Sequence, residues 1–405
     1  MGSIEEESQP SFKKKKIEPE QGWSDRPRDF VRLILGKLPW SERLRVSLVC
    51  KTWKECFHEI QNTQEFLPWL MSYRWHATDD GRVDSICKLA DPFEQKCYTV
   101  EEATKGADQR GIFVGAEPCA SSHGWVLLSK ATSGVKHLFL YSPFTDEVIR
   151  FPELVTGFKD KASFSLNPTS SDCVVIALSI QEHEKLEIKT CHPGDESWKS
   201  FEFSGEYYFI CDVGYADGSF YVTFSNGKLG AFNIKQQEWK LLWDLRSEPS
   251  PNSPPPVHED TYIYLVAAFN GDIILSCCRS VCLPCASYRF DLSKGKRVIV
   301  EREAMEKQVI FRGCTSFSAF SVPAEGNARE SAGKINYFYY NTNTPWSIYC
   351  NCIDSRRYQR PCKGYEWMEK DDLRRIWIQP PFQRIMRASD LLQSGSKPNS
   401  EDKSS

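Results

Sequence analysis

After residue 80 the chain repeats one pattern six times: a short apolar strand, a polar turn and a second strand. The repeats recur at intervals of 41 to 59 residues, counted between Leu89, Tyr141, Cys191, Phe232, Phe290 and Tyr349. Another strand precedes most of these hairpins, in residues 124–128, 218–222, 271–275 and 333–338. A repeat of about 40 to 60 residues with four strands is typical of a β-propeller. The pattern therefore predicts an all-β domain over residues 80–388 with about six propeller blades, and a β-sandwich is the alternative.

Ahead of the repeats, from residue 22 to about residue 75, the apolar residues follow a helical period. The first helix would carry one apolar stripe, made of Phe30, Val31, Ile34, Leu35 and Leu38. Pro27 suits a first helical turn, and Pro39 ends that helix. A second helix is predicted over residues 42–48 and a third near residues 51–60. Three short helices in about 45 residues bury too little apolar surface to be very stable alone, so this module needs a partner surface.

Charge and hydropathy exclude several classes of function. The chain has 51 Lys and Arg against 54 Asp and Glu, and its net charge of −3 excludes a generally basic nucleic-acid binder. No apolar run approaches the roughly 18 to 20 residues that cross a bilayer, so no membrane partner is expected.

The polar ends, residues 1–21 and 389–405, are predicted to be disordered. The first of them has no apolar stretch of the kind found in a signal peptide, and the 16 cysteines are spread along the whole chain. We therefore expect a reducing compartment, the nucleus and/or the cytoplasm. The run of Lys13, Lys14, Lys15 and Lys16 is either a nuclear import signal or a solvated charge run.

Signatures of catalysis are missing from the sequence. There is no Gly-x-Ser-x-Gly, no His-Glu-x-x-His and no Gly-rich phosphate loop, so we expect neither an enzyme nor a cofactor. His123 beside Gly124 is typical of a turn. Four cysteines invite a zinc site: Cys277, Cys278, Cys282 and Cys285. Their spacing lacks the usual longer loop, and adjacent cysteines on a strand point to opposite faces, so buried thiols are favoured over a metal.

Residues 27–39, 42–45 and 49–54 carry the most specific pattern in the chain: apolar pairs between two prolines, then Glu-Arg-Leu-Arg, then Val-Cys-Lys-x-Trp-Lys. This pattern resembles the F-box, the short helical module that docks on a Skp1-type subunit of a cullin-RING ubiquitin ligase. The sequence departs from the family at Arg26, where a leucine is usual, and at Arg43, where an apolar residue is common. The docking residues implied by the resemblance are Pro27, Phe30, Val31, Ile34, Leu38, Pro39, Leu44, Val49, Cys50 and Trp53. The alternative is that the same stripe packs against the chain's own β domain.

The β region carries a second resemblance. Residues 121–128, 138–152 and 376–381 are similar to the opening and closing strands of the kelch-like propeller domain of uncharacterised function that is common in plant F-box proteins. The region differs from true kelch repeats because it has no Gly-Gly pair. It differs from tryptophan-aspartate repeats because Trp243-Asp244 is its only such dipeptide.

Together the resemblances imply a non-catalytic substrate-recognition adaptor of an SCF-type (Skp1-cullin-F-box) ubiquitin ligase. Its partners would be the Skp1-type subunit, through it the cullin-RING ligase, and an unknown target protein bound by the propeller. Candidate target-binding residues, of types that anchor interfaces, are Arg356, Arg357, Tyr358, Tyr365 and Trp367, with an ordinary solvated loop as the alternative. Two other functions stay open. One is a propeller enzyme or small-ligand receptor on which the helical module only packs, and the other is a scaffold outside a ligase.

Overall fold

The computed structural model describes residues 26–38, 46–47, 49–63, 68–78, 83–91, 96–100, 111–155, 161–181, 184–244, 262–268, 273–280, 283–291, 296–299, 308–312, 319–323, 334–341, 344–352 and 373–380. The chain divides into two compact units, a helical unit within residues 1–64 and a β unit within residues 65–405. The predicted disordered ends and the four lysines at 13–16 lie outside the described residues, as do Pro39, Arg43 and Leu44. No helix in the described part of the chain is long and apolar enough to cross a bilayer.

The helical unit contains two described helices, α1 (Arg28–Lys37) and α2 (Lys51–Thr63). Pro27 is extended, with φ −54° and ψ 136°, so it precedes the first turn of α1 and does not belong to it. At the other end Leu38 is extended, with φ −80° and ψ 145°, which is the conformation that a following proline favours. The predicted second helix lies mostly outside the described residues, and Val46 and Ser47 are its described part, both helical.

The two helices pack on each other through apolar side chains. Five of these side chains are almost completely buried: Val31, Leu35, Trp53, Cys56 and Phe57. The Cys56 thiol also donates a hydrogen bond to the Arg28 carbonyl oxygen at 3.8 Å, and the Arg28 guanidinium pairs with Glu55. An ion pair between exposed side chains contributes at most about 1 kcal/mol. Apolar burial therefore holds the helical unit together.

In the described part of the chain, the β unit contains 25 strands in five sheets, numbered in chain order. Sheet A has the order β25 (Arg374–Ile378), β1 (Trp69–Ala77), β2 (Val83–Asp91), β3 (Lys96–Thr99). Sheet B has the order β4 (Glu117–Ser122), β5 (Trp125–Thr132), β6 (Val135–Ser142), β7 (Glu147–Arg150), with β8 (Leu154–Val155) paired to β6. Sheet C has the order β12 (Lys199–Phe203), β11 (Leu186–Cys191), β10 (Val175–Ile180), β9 (Lys161–Phe164).

Sheet D has the order β13 (Ile210–Ala216), β14 (Ser219–Phe224), β15 (Lys228–Asn233), β16 (Glu238–Asp244). Sheet E has eight strands, in the order β20 (Lys296–Ile299), β19 (Leu283–Asp291), β18 (Ile273–Ser280), β17 (Tyr262–Ala268), β22 (Ala319–Pro323), β21 (Gln308–Arg312), β23 (Lys334–Asn341), β24 (Thr344–Cys352).

Five of the six predicted hairpins are confirmed. They are β2–β3, β6–β7, β11–β12, β15–β16 and β19–β20, and all five are antiparallel. The strands predicted to precede hairpins are also present, as β5, β14, β18 and β23. The first strand of the sixth hairpin is β24, and its predicted partner at Tyr358 lies outside the described residues.

Tight turns connect consecutive strands within the sheets. Between β4 and β5, His123 and Gly124 both have positive φ, 51° and 78°. Ser133 and Gly134 repeat this arrangement between β5 and β6, with φ of 49° and 85°. Two consecutive positive φ values belong to a type I′ turn, whose twist matches that of the paired strands. His123 is thus a turn residue, as the sequence predicts.

The helical prediction is wrong for residues 69–75, which belong to strand β1. β1 is buried along most of its length, and Met71, Tyr73 and Trp75 on one face alternate with Ser72, Arg74 and His76 on the other. This alternation has the period of a strand, so the sequence indicates a strand at residues 71–76 and the helical period does not extend to them. The change from helices to strands falls near residue 64, where the two compact units divide.

Sheet C packs between sheets B and D, and strand β10 contributes to both interfaces. Val175 and Ala177 belong to the apolar cluster shared with sheet B, which includes Trp125. Val174, just ahead of β10, and Ile176 belong to the cluster shared with sheet D. Successive side chains of a strand point to opposite faces, so an unbroken apolar run covers both faces of the strand. Sheet C is therefore buried on both sides.

The first and last described strands of the β unit meet in sheet A. The inner strands β25, β4, β9, β13 and β17 are neighbours in that order. β1 pairs with β25, and Leu70 lies opposite Trp377. The Ser121 hydroxyl on β4 donates a hydrogen bond to the Trp377 carbonyl oxygen at 2.5 Å, and the Phe311 ring on β21 lies 4.9 Å from the Trp377 ring. Trp377 therefore joins sheet A to sheet B on one side and to sheet E on the other.

Sheet E differs from the expected series of separate four-stranded units. β17 pairs in parallel with β22, and β21 pairs in parallel with β23, so the fifth and sixth predicted repeats share one sheet. This pairing satisfies backbone N–H and C=O groups along edges that would otherwise be open. The described part of the chain thus has five separate sheets, and the blade number stays a prediction.

One carboxylate is buried in sheet C. Glu187 accepts hydrogen bonds from Gln181 at 2.6 Å, Ser200 at 3.0 Å and Ser179 at 3.1 Å, and it pairs with the Lys189 ammonium at 3.0 Å. Burial alone would raise the pKa of Glu187, but the donors, Lys189 first among them, lower that pKa below its usual value. The folded protein therefore favours the ionised carboxylate.

Replacing Trp377 with Ala should lower the free energy of unfolding by about 3 to 5 kcal/mol, because the buried indole would leave a cavity between three sheets. Urea denaturation of the full-length chain, followed by far-UV circular dichroism, measures the change. Leu241→Ala is the control: Leu241 is exposed on β16, and its loss should cost no more than about 0.5 kcal/mol. Equal stability of the two variants would show that Trp377 does not close the β unit.

Replacing Glu187 with Gln should lower the free energy of unfolding at pH 7 by about 1.5 to 3 kcal/mol, the range for hydrogen bonds to a charged group. A lowered folded-state pKa contributes stability above the unfolded value of about 4.3, and this stability is lost as the pH falls through the folded value. Urea denaturation between pH 7 and pH 3 should therefore show a smaller acid-induced loss in Glu187→Gln than in the wild type. Glu238→Gln, at an exposed position, should follow the wild type. Parallel pH curves for Glu187→Gln and the wild type would contradict the assignment.

Candidate functional site

Three large apolar side chains of the helical unit are exposed to solvent. Phe30 and Leu33 on α1 are 48% and 63% exposed, and Val49, just ahead of α2, is 64% exposed. With 3.6 residues per turn, Phe30 and Leu33 lie about 60° apart around α1. Val31 and Leu35 lie on the buried side of the same helix. Phe30, Leu33 and Val49 are called the exposed apolar set.

The structure separates the ten docking residues implied by the F-box resemblance into groups. They are Val31 and Trp53, buried; Ile34, Leu38 and Cys50, partly buried; Pro27, Phe30 and Val49, exposed; and Pro39 and Leu44, outside the described residues. One side of the apolar stripe thus forms the core of the helical unit, and the other side faces solvent.

Leu33 is the member of the exposed apolar set that the sequence pattern misses. It lies about 60° from Phe30 on the side away from Val31, so it falls outside the stripe that predicts the buried face. Its neighbours one turn away are Asp29 and Lys37, and both are exposed. A single leucine on an otherwise polar helix face was the signal available in the sequence.

Charged side chains border the exposed apolar set. The Arg32 guanidinium donates a hydrogen bond to the Asp29 carboxylate at 2.7 Å, and Arg28 pairs with Glu55 of α2. Arg26, a departure from the F-box pattern, is exposed ahead of α1. Exposed apolar side chains with charged neighbours are typical of a protein–protein interface.

The β unit exposes two adjacent aromatic side chains between β12 and β13. Tyr208 and Phe209 are 46% and 56% exposed. Their segment is fixed by hydrogen bonds to sheet D: Ser225 N–H to Phe209 O at 2.9 Å, Asn226 Nδ2 to Glu206 O at 3.0 Å, Lys228 Nζ to Glu206 O at 2.9 Å and Trp239 Nε1 to Tyr207 Oη at 2.8 Å. Exposed aromatics on a fixed segment are the residue type that anchors protein interfaces.

The predicted target-binding residues lie outside the described residues: Arg356, Arg357, Tyr358, Tyr365 and Trp367. Of the four clustered cysteines, Cys277 and Cys278 are adjacent on β18, Cys285 is on β19, and Cys282 is outside the described residues. Among the residues whose side chains are described, no group of three or more His, Cys, Asp or Glu residues is placed to hold a metal ion.

Two family models match the chain. Residues 24–64 match the F-box domain, and residues 88–353 match the KIB1-4 β-propeller. The protein is therefore an F-box protein with a C-terminal β-propeller, which is the organisation of substrate adaptors of SCF-type ubiquitin ligases. Because the propeller model covers more than half of the chain, the protein belongs to the KIB1-4 β-propeller family.

The relatives of this chain include two F-box proteins from Arabidopsis thaliana. The chain is 24% identical to F-box protein At4g00893 over 387 residues, which covers 89% of this chain and 87% of the relative. It is 25% identical to F-box/kelch-repeat protein At1g57790 over 362 residues, which covers 89% of this chain and 95% of the relative. Both relatives are F-box proteins, and this similarity favours an adaptor over a catalyst.

Among solved structures, the chain is similar to TolB from Acinetobacter baumannii. The similarity covers 82% of this chain and 71% of that chain, with 11% sequence identity and a TM-score of 0.41. A similarity this remote carries no functional argument.

Val31→Ala should loosen the helical unit, whereas Phe30→Ser should leave its stability within about 0.5 kcal/mol of the wild type. Val31 is fully buried, and a buried valine contributes about 1.5 to 3 kcal/mol, a large share of the stability of so small a unit. Hydrogen-exchange mass spectrometry of the full-length chain should show faster exchange of the α1 and α2 amides in Val31→Ala alone. Faster exchange in Phe30→Ser as well would place Phe30 in the core and remove it from the exposed apolar set.

Proposed function

We propose that this protein is the substrate-recognition adaptor of an SCF-type ubiquitin ligase, in which the helical unit docks on the Skp1-type subunit and the β unit holds a target protein. The observation that carries the proposal is the exposed apolar set on a module of the F-box family. Through the Skp1-type subunit, the adaptor would connect its target to the cullin-RING ligase.

The exposed apolar set supplies the free energy for docking. A Val, Leu or Phe side chain contributes about 1.5 to 3 kcal/mol when it passes from full exposure to full burial. Phe30, Leu33 and Val49 are each about half to two thirds exposed, so covering them recovers a large part of that range. The helical unit also has a small core of its own, and a partner that binds its folded form would stabilise it.

An adaptor makes and breaks no bonds. It holds the target beside the conjugating enzyme and converts a bimolecular encounter into an intramolecular one, so its contribution is effective concentration and orientation. A rigid carrier preserves orientation, and the apolar clusters on both sides of sheet C give the β unit this rigidity. Tyr208 and Phe209 offer aromatic contacts to a protein target from a fixed segment.

We also propose that the β unit is a six-bladed propeller, with sheets A to D as one blade each and sheet E as two. The neighbouring inner strands β25, β4, β9, β13 and β17 support this arrangement, as do the eight strands of sheet E. The contact between Phe311 of sheet E and Trp377 of sheet A supports closure of the ring.

A scaffold that acts outside a ligase would bind the Skp1-type subunit without the cullin. Recovery of the cullin with the intact chain therefore separates that alternative from the ligase adaptor.

The test of docking uses the purified full-length chain and a purified Skp1-type subunit in biolayer interferometry. The double variant Phe30→Ser with Leu33→Ser should bind at least about tenfold more weakly, because it removes two apolar contacts worth more than 1.4 kcal/mol together. Val155→Ser, at an exposed valine of the β unit, is the matched control and should bind like the wild type. Wild-type affinity in the double variant would overturn the proposed docking surface.

A further inference from the structure

Residues 204–209, between β12 and β13, form a segment in which burial alternates along the chain. Tyr207 is buried, whereas Glu206 and Tyr208 on either side of it are exposed. Alternate side chains of an extended chain point to opposite sides, so Glu206 and Tyr208 face solvent on the same side. Residues 204–209 are called the aromatic segment.

Tyr207 fixes the aromatic segment to sheet D through Trp239 of β16. Trp239 Nε1 donates a hydrogen bond to Tyr207 Oη at 2.8 Å, and the two rings meet edge to face with their centres 5.9 Å apart. The centre of the Tyr207 ring also lies 5.0 Å from that of Phe224 on β14. Both the hydroxyl and the ring of Tyr207 are therefore engaged.

Two glycines make room for these rings. A Cβ atom on Gly230 of β15 would overlap the Trp239 ring, and a Cβ atom on Gly205 would overlap the Tyr207 ring. Glycine inside a strand weakens it and is typical of a place where another group approaches the backbone closely. This packing holds the aromatic segment in one conformation, and a site that is already ordered loses less conformational entropy on binding.

The charge that the aromatic segment presents to solvent is negative. The Glu206 side chain is 82% exposed, whereas Lys228, whose ammonium lies 3.8 Å from the Glu206 carboxylate, is 13% exposed. The Lys228 ammonium donates a hydrogen bond to the Glu206 carbonyl oxygen at 2.9 Å and lies 5.9 Å from the centre of the Tyr207 ring. In the neighbouring turn of sheet C, the described residues Glu184 and Lys185 have opposite charges that cancel. A partner therefore meets the Glu206 carboxylate, while Lys228 holds the backbone.

We propose that the aromatic segment binds an arginine side chain of the target protein, with Glu206 and Tyr208 as its contacts. A guanidinium group can donate two parallel hydrogen bonds to a carboxylate and can also stack on an aromatic ring, and the ammonium group of lysine lacks this planar geometry. Phe209, which is also exposed, adds apolar surface beside these two contacts. The inference rests on the proposed function, because it specifies the chemistry of the target that the β unit would hold.

The test selects random peptides displayed on phage against the immobilised full-length chain and measures the enriched peptides by biolayer interferometry. Enriched peptides should contain arginine, and its replacement with citrulline should weaken binding at least about tenfold, because citrulline keeps the shape and loses the charge. Glu206→Gln should weaken binding of the arginine peptides to the same degree, and Tyr208→Leu should weaken it roughly threefold or more. Glu238→Gln, at the opposite end of sheet D, is the matched control and should bind like the wild type.

Gly230→Ala tests whether the aromatic segment has to be held in place. The new methyl group displaces the Trp239 ring, so the Ser225 amide, which is bonded to the aromatic segment at 2.9 Å, should exchange faster in hydrogen-exchange mass spectrometry. The arginine peptides should also bind roughly threefold more weakly. Should Gly230→Ala fail to fold, Tyr207→Phe provides the same test, because it removes only the hydroxyl that Trp239 bonds. Gly111→Ala is the control, since a Cβ atom there has no neighbour within 4 Å.

Four results would overturn the proposal: no enrichment of arginine among the selected peptides, equal binding of the citrulline peptide, undiminished binding to Glu206→Gln, or undiminished binding to both Gly230→Ala and Tyr207→Phe. Binding to the purified Skp1-type subunit is measured on the same variants and should be unchanged. Loss of arginine recognition with docking intact would refute this inference alone. Loss of docking with arginine recognition intact would refute the proposed docking surface alone.

Discussion

The burial of sheet C on both of its faces is the constraint on which the rest of the β unit depends. Successive side chains of β10 belong alternately to the apolar cluster shared with sheet B and to the one shared with sheet D. Sheets B, C and D therefore have to stack for both clusters to form. A stack of this kind keeps the strands in register and fixes the segments between them. The hydrogen bonds that hold residues 206–209 against sheet D belong to this stack.

The helical unit differs from the β unit, because its two described helices do not bury all of its large apolar side chains. Val31, Leu35 and Phe57 form a core between α1 and α2, while Phe30, Leu33 and Val49 stay in solvent. A unit of this size gains little stability from its own core, so a bound partner would contribute to its folding as well as to its function. The apolar stripe of α1 therefore has two roles: Val31 and Leu35 are buried in the core of the helical unit, and Phe30 is exposed to solvent.

Much of the fold can be read from the sequence, since the hairpins of the β unit follow the local rules of strands and turns. Paired apolar runs around polar turns predict β6–β7 and β15–β16, and the His123-Gly124 turn follows from its residue types. Strand β1 is within reach of the same rules, because residues 71–76 alternate apolar and polar side chains, and the helical prediction for this segment overlooks that alternation. The shared sheet E depends on parallel pairing between strands distant in the chain, which no local pattern encodes. Leu33 could be recognised in the sequence only as a single leucine on an otherwise polar face of the predicted helix.

The pairing of β1 with β25 also has a consequence for incomplete chains. A polypeptide that ends ahead of Arg374 would lack β25 and retain the other described strands. The backbone of β1 would then have no paired strand along Trp69–Tyr73. An open strand edge of this kind recruits other chains into shared sheets. Truncated products of translation or proteolysis would then be insoluble or promptly degraded. The solubility of the β unit therefore depends on the presence of β25.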